Sequence, residues 1–181
     1  SYIVDTLSHF NEISKEPCKI FILNKNKINE NSRLSHLIRD KNLEFLVQDI
    51  GKTLKIPQKI DIIFHSASMA SPISFLKDPL NTFDANVIGT RNLLEYSVKY
   101  SVKNFLFFSS ADVYGNPSKE FIPTPEIYSG NVNCIDPRAC YSESKRISET
   151  LCSIFSKEYK ISTKILRIGH TYGPGLREDK A

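Results

Sequence analysis

Short apolar runs alternate with longer amphipathic stretches along the whole chain, and the spacing predicts the elements. Residues 1–10 set Tyr2, Ile3, Leu7 and Phe10 along one side of a helix. Residues 19–23, 43–47, 60–64, 104–108 and 161–168 have the length and composition of buried strands. Ser32 is placed to cap a short helix through Arg39. Pro72 and Pro79 bracket a loop, and Pro79 also suits the first turn of a helix over about 80–100, running through Phe83, Val87, Leu93, Leu94 and Val98, and the two long helices carry more apolar residues than one face requires. Residues 115–137, rich in Pro, Asn and Ser, read as a long loop, and residues 136–140 as loop. A helix over 146–159, with Ile147, Leu151, Ile154 and Phe155 apolar, reaches back through Tyr141 and Lys145. Loop follows from Gly169 onward.

This alternation predicts an α/β fold with a parallel sheet and helices on both faces. Ligands in such sheets bind beyond the carboxyl ends of the strands. Four polar groups fall there: Asp49-Ile50, His65-Ser66-Ala67-Ser68, Ser109-Ser110-Ala111-Asp112 and Gly169-His170-Thr171. There is no internal repeat and no linker-like stretch.

Composition narrows the function classes. A chain of 181 residues can bury a real core as one domain. The net charge is +4, but the basic residues are scattered, which argues against a nucleic-acid partner. No run approaches the ~18 apolar residues of a membrane helix. Residues 1–10 lack the basic start of a secretory signal and include Asp5 and His9, so no membrane partner is expected. The four cysteines form no Cys-x-x-Cys pair and no histidines sit at zinc spacing, so no metal site is expected. Reduced thiols and a cytoplasmic location follow.

The candidate chemistry centres on Tyr141 and Lys145. Residues four apart share a helix face. An ammonium beside a phenol favours the phenolate and makes tyrosine a usable acid/base group. In a chain this rich in both residues, chance alone supplies roughly one such pair. The spacing by itself is therefore no more than a surface pair until its context is added.

That context is a resemblance to the extended short-chain dehydrogenase/reductases that modify nucleotide sugars: UDP-glucose 4-epimerases, dTDP-glucose 4,6-dehydratases and UDP-glucuronate decarboxylases. Six segments resemble the family's motifs in the right order. The strand through Phe64 ends in His65-Ser66-Ala67-Ser68. Asn86-Val87-Ile88-Gly89-Thr90-Arg91-Asn92-Leu93-Leu94 resembles Asn-x-x-Gly-Thr-x-Asn-Leu-Leu. Ser109-Ser110-Ala111-Asp112-Val113-Tyr114-Gly115 resembles Ser-Ser/Thr-x-x-Val-Tyr-Gly. Gly130-Asn131-Val132-Asn133, and Pro137-Arg138-Ala139-Cys140-Tyr141 with Lys145-Arg146, are most similar to the decarboxylase branch. Arg167-Ile168-Gly169-His170-Thr171-Tyr172-Gly173-Pro174 resembles Arg-x-x-Asn-x-Tyr-Gly-Pro.

The resemblance implies a Rossmann-like, doubly wound sheet. Residues 1–181 would be one NAD(P)-binding domain, without its first strand and glycine-rich phosphate turn and without a C-terminal substrate domain. It implies oxidation of a sugar at C4. Tyr141 takes the hydroxyl proton, Lys145 lowers the Tyr141 pKa and holds the nicotinamide ribose, and Ser110 binds the same sugar oxygen. Asp112 stands where dehydratases and decarboxylases usually have glutamate, and Ala111 removes the dehydratase acid. That weakens 4,6-dehydration and leaves decarboxylation and epimerisation open. NAD is the expected cofactor and NADP the second choice, with Asn24, Asp49, Ile50, His65, Ser66, Ala67, Asn86 and Ser109 expected around it. Arg138 and His170 are expected at the substrate. The two long helices imply a homodimer. The rival class is a catalytically silent dinucleotide-binding protein.

Overall fold

The computed structural model describes residues 2–56 and 58–173. The elements run α1 (Tyr2–Ile13), β1 (Ile20–Asn24), β2 (Leu43–Val47), β3 (Ile62–His65), α2 (Pro72–Lys77), α3 (Pro79–Tyr100), β4 (Asn104–Ser110), α4 (Ala139–Tyr159) and β5 (Thr163–Ile168). Every expected strand forms, and every strand pairing is parallel. The strands are distributed over two sheets, β1-β2 and β3-β4-β5. The chain divides into two compact units, the first holding α1, β1 and β2 and the second the remaining elements. Parallel strands joined by helical crossovers give a Rossmann-like fold.

In the first unit α1 turns a polar face inward. Ser8 and Asn11 are its buried residues, while Tyr2 and Phe10 are about half exposed. The Asn11 amide donates to the Cys18 carbonyl at 2.9 Å and its oxygen accepts the Cys18 N–H at 2.8 Å, fixing the turn into β1. The helix expected after Ser32 shrinks to one 3-10 turn, Ser35–Leu37. The Ser32 hydroxyl accepts the Leu34 N–H, a local turn that competes with helix formation.

In the second unit the stretch between Pro72 and Pro79 is a short helix, α2, rather than a loop. Pro72 sits in its first turn, where proline's missing N–H costs nothing. Asp78 then caps α3 by accepting the Asn81 N–H. The centre of the core is β4, with Phe105 and Phe107 fully buried. Helices α3 and α4 meet along a seam of small and polar side chains: Asn86, Thr90, Ser144 and Ser148, all buried. Phe83, Val98, Ile147 and Ile154 are partly exposed. Leu93, Leu94 and Phe155 are buried as expected. Helix α4 starts at Ala139, so Ala139 and Cys140 belong to its first turn.

Residues 115–137 contain no α-helix or strand. An isolated bridge between Gly115 and Asn131 folds this stretch back on its own start. No helix among the described residues is long and apolar enough to cross a membrane. The loop expected after Gly169 is present through Gly173; Ser1, Pro174 and the residues beyond lie outside the described residues.

Candidate active site

Three parallel strands bring their carboxyl ends to one edge of the second unit. Strand β3 ends with His65 opposite Phe107, and β4 runs on to Ser110 opposite Ile168 of β5. Ser110 leaves the sheet by capping a 3-10 turn, Ala111–Tyr114, its hydroxyl accepting the Asp112 N–H at 3.2 Å. Helix α4 then carries Tyr141 and Lys145 one turn apart. Both are buried, at 6% and 3% exposure, which is unusual for a lysine. The Lys145 ammonium donates to the Phe108 carbonyl at 2.7 Å and lies 4.9 Å from the Phe107 ring and 5.8 Å from the Tyr141 ring. The Tyr141 ring stacks on Phe75 of α2, with centroids 5.2 Å apart.

The electrostatics differ from the expectation at one point. Burial holds the Tyr141 phenol above its ordinary value, a hydrogen bond from Ser110 opposes the rise, and the Asp112 carboxylate adds to it. Burial likewise lowers Lys145 to about 8. The sequence has Lys145 lowering the phenol's pKa; in the structure desolvation is the largest influence on both groups. Ser110 ends β4 and Asp112 lies in the turn that follows, against which α4 packs, while Lys145 on α4 is bonded to the Phe108 carbonyl of the same strand.

The other expected residues separate into those facing the edge and those used inside the core. Ser66 and Ala67 follow β3 and are exposed, and His170 is exposed beyond β5. Arg138 is exposed at the start of α4, its N–H donating to Asp136. His65 is a correction: it is 3% exposed, packed on Phe105 and Phe107, and hydrogen-bonded to Thr90 at 2.9 Å. The Thr90 hydroxyl gives its one proton to the Asn86 carbonyl, so His65 Nε2–H is the donor. Burial, aided by Lys145, drives His65 down to about 3, so the ring is neutral. Its side chain belongs to the core and only its backbone faces the edge.

Asn86 and Ser109 also bond within the fold. The Asn86 side-chain nitrogen donates to Ser144 at 2.8 Å and its backbone carbonyl accepts from Thr90 and from Ser148, while its side-chain oxygen is buried without a hydrogen-bond partner among the described residues. Ser109 donates to Glu149 at 2.6 Å. In the first unit, Asn24 ends β1 and donates to the Asn26 carbonyl at 2.7 Å, Asp49 pairs with Lys25 at 3.1 Å, and Ile50 is buried.

Sequence reasoning gives no site role to five residues that the structure places here: Phe75, Ser68, Gly130, Arg146 and Glu149. Phe75 was hidden because α2 reads as loop. The Ser68 hydroxyl, three residues beyond β3, is buried without a hydrogen-bond partner among the described residues. Arg146 Nη1 donates to the Val113 and Ser129 carbonyls at 3.0 and 2.7 Å. Gly130 has φ +91°, and a Cβ there would collide with that guanidinium. Glu149 pairs with Arg167, Nη2 to Oε2 at 2.7 Å. Its position four residues after Lys145 was the available signal.

A parallel, Rossmann-like sheet thus carries Ser110 and the Asp112 turn at its carboxyl edge, with a buried tyrosine–lysine pair on the helix that follows. The chain belongs to the NAD dependent epimerase/dehydratase family, whose model matches residues 10–181. It is 38% identical over 143 residues to UDP-glucuronic acid decarboxylase 1 of Xenopus tropicalis, covering 79% of this chain and 33% of that protein. It is 34% identical over 179 residues to UDP-glucuronic acid decarboxylase 5 of Arabidopsis thaliana, covering 99% of this chain and 50% of that protein. Among solved structures it resembles the UDP-glucose 4-epimerase of Thermotoga maritima with UDP-glucose, with a TM-score of 0.71 and 27% identity over 92% of this chain and 50% of that one. It also shares the fold of a Bacillus cereus UDP-glucuronic acid 4-epimerase in complex with NAD, with a TM-score of 0.75 and 23% identity over 99% of this chain and 57% of that one. The chain thus spans half or less of the length of these curated relatives.

Proposed function

We propose that this chain is the NAD-binding part of a nucleotide-sugar enzyme that oxidises its substrate at C4, and that UDP-glucuronate decarboxylation is the net reaction. The observation that carries it is the buried Tyr141–Lys145 pair on α4, held to the Phe108 carbonyl of β4, the strand that ends in Ser110. Tyr141 takes the proton from the sugar C4 hydroxyl. Ser110 hydrogen-bonds the same oxygen and steadies the phenolate. Lys145, buried and held by the Phe108 carbonyl, puts a positive charge beside the forming phenolate and a donor toward a ribose hydroxyl. In the resulting 4-keto sugar the C4 carbonyl accepts the electron pair of the C5–carboxylate bond as carbon dioxide leaves; C5 of the enolate then takes a proton from solvent, and Tyr141 returns its own proton to the C4 oxygen as the hydride comes back. Asp112, in the turn directly after Ser110, is assigned to orient the sugar or handle a proton during that step.

Within the second unit, exposed Ser66 and Ala67, the orphaned Ser68 hydroxyl and the buried Lys145 ammonium suit a dinucleotide. Within the first unit, Asn24 ends β1 and Asp49 and Ile50 follow β2, positions that the family resemblance gives to the cofactor. When bound, NAD supplies the acceptor for the C4 hydride and returns it in the last step. Asp49 neutralises Lys25, which favours NAD over a cofactor with an extra phosphate. Arg138 and His170, both exposed near the site's elements, are assigned to the substrate's anionic and hydroxyl groups. The outward apolar residues Phe83, Val98, Ile147 and Ile154 are assigned to a homodimer interface on α3 and α4.

Turnover of the full-length protein with UDP-glucuronate, UDP-glucose and dTDP-glucose tests this reading. Carbon dioxide and a UDP-pentose from UDP-glucuronate are expected. Epimerised UDP-glucose alone would favour 4-epimerisation; no reaction with any of the three would favour a silent dinucleotide-binding protein.

A further inference from the structure

We infer that Glu149 is a positioning residue for the reaction: its carboxylate ties the helix bearing Tyr141 and Lys145 to the strand end bearing Ser110. This rests on the roles given to those three residues above.

Glu149 lies on α4, one turn beyond Lys145, and is only 13% exposed. Its Oε1 accepts from the hydroxyl of Ser109, the residue before Ser110, at 2.6 Å, and from Arg167 Nε at 3.0 Å. Its Oε2 accepts from Arg167 Nη2 at 2.7 Å. Arg167 is on β5, directly opposite Ser109 in the sheet register. The guanidinium continues outward: Nη1 donates to the Glu126 carbonyl at 2.7 Å, and its plane lies 4.9 Å from the Tyr114 ring. One carboxylate therefore joins α4, β4 and β5 and, through Arg167, the long loop and the turn after Asp112.

A bidentate arginine pair fixes direction as well as distance. Two neighbouring strands and the helix are held at one point, a single residue along β4 from the catalytic serine. A catalytic hydrogen bond tolerates little slack, since a displacement of ~1 Å can cost roughly 100-fold in rate. A carboxylate here thus sets the distance from Ser110 to Tyr141 without touching substrate.

The test is Glu149→Gln in the full-length protein, with two readouts. The first is the titration of the Tyr141 phenol by NMR of isotope-labelled tyrosine, assigned with Tyr141→Phe, which needs no turnover. The groups facing the phenol are Ser110, which lowers its pKa, and Asp112, which raises it; Lys145 lies nearby. Loosening Ser110 moves the titration to higher pH. The second readout is kinetic: kcat falls roughly 10- to 100-fold while KM stays within about threefold. Added to Ser110→Ala, Glu149→Gln shifts the titration no further. An unchanged titration in folded Glu149→Gln, or an equal shift in the Ser110→Ala background, overturns the proposal. If Glu149→Gln does not fold, Ser109→Ala, which cuts only the link to β4, is judged by the same outcomes. A protein that turns over no nucleotide sugar refutes the proposed function, and the titration still decides the role of Glu149.

Discussion

Tyr141 shows how far a local motif can be trusted. Its spacing from Lys145 was legible in the sequence, and so were Ser110 and Asp112, because each belongs to a short motif at a strand end or helix start. The energetic balance was not. A helix projection shows an amine beside a phenol but not the desolvation of both, and burial decides the direction of each shift. His65 was misread for the same reason, since a strand-end histidine looks available until Phe105, Phe107 and Thr90 enclose it. Asp112 gives the residue-scale prediction. Its charge raises the phenol's pKa, so Asp112→Asn lowers it and extends ionisation to more acidic pH. The acid limb of C4 oxidation, followed by NADH formation in a single turnover, should move to lower pH. A shift to higher pH, or none, contradicts the placement of Asp112 beside Tyr141.

Element types were largely readable, whereas element faces were not. The strands are short and apolar throughout, so their runs stand out. Beside the apolar residues Leu93, Leu94 and Phe155, α3 and α4 bury Asn86, Thr90, Ser144 and Ser148, since two helices approaching closely favour small side chains that bond across the seam. Hydrophobic periodicity alone does not separate the buried apolar residues from Phe83, Ile147 and Ile154, which are partly exposed. Helix α2 was lost between two prolines that each begin a helix. The seam makes its own prediction. Thr90 accepts the His65 N–H and donates to the Asn86 carbonyl, so Thr90→Val strands a buried donor and should cost about 1–3 kcal/mol. Urea unfolding of the full-length protein measures this; unchanged or increased stability contradicts the hydrogen-bond assignment.

At the scale of the whole molecule, the chain is a family member that spans half or less of its curated relatives. Its substrate and partners are therefore read from the site and from the exposed surface of α3 and α4. If those helices pair two copies, Ile154→Glu should convert a dimer to monomers, as seen by size-exclusion chromatography with light scattering. Because Ile154 is 45% exposed within the chain, little change in the melting temperature is expected. A variant that remains dimeric assigns the interface elsewhere. The chemistry itself is tested most directly by Tyr141→Phe in the full-length protein, which keeps the ring stacked on Phe75 and removes only the hydroxyl. With UDP-glucuronate and NAD, the variant is expected to bind the cofactor as the unmutated protein does and to lose at least ~100-fold in carbon dioxide release. Undiminished release would contradict the assignment of Tyr141 as the base.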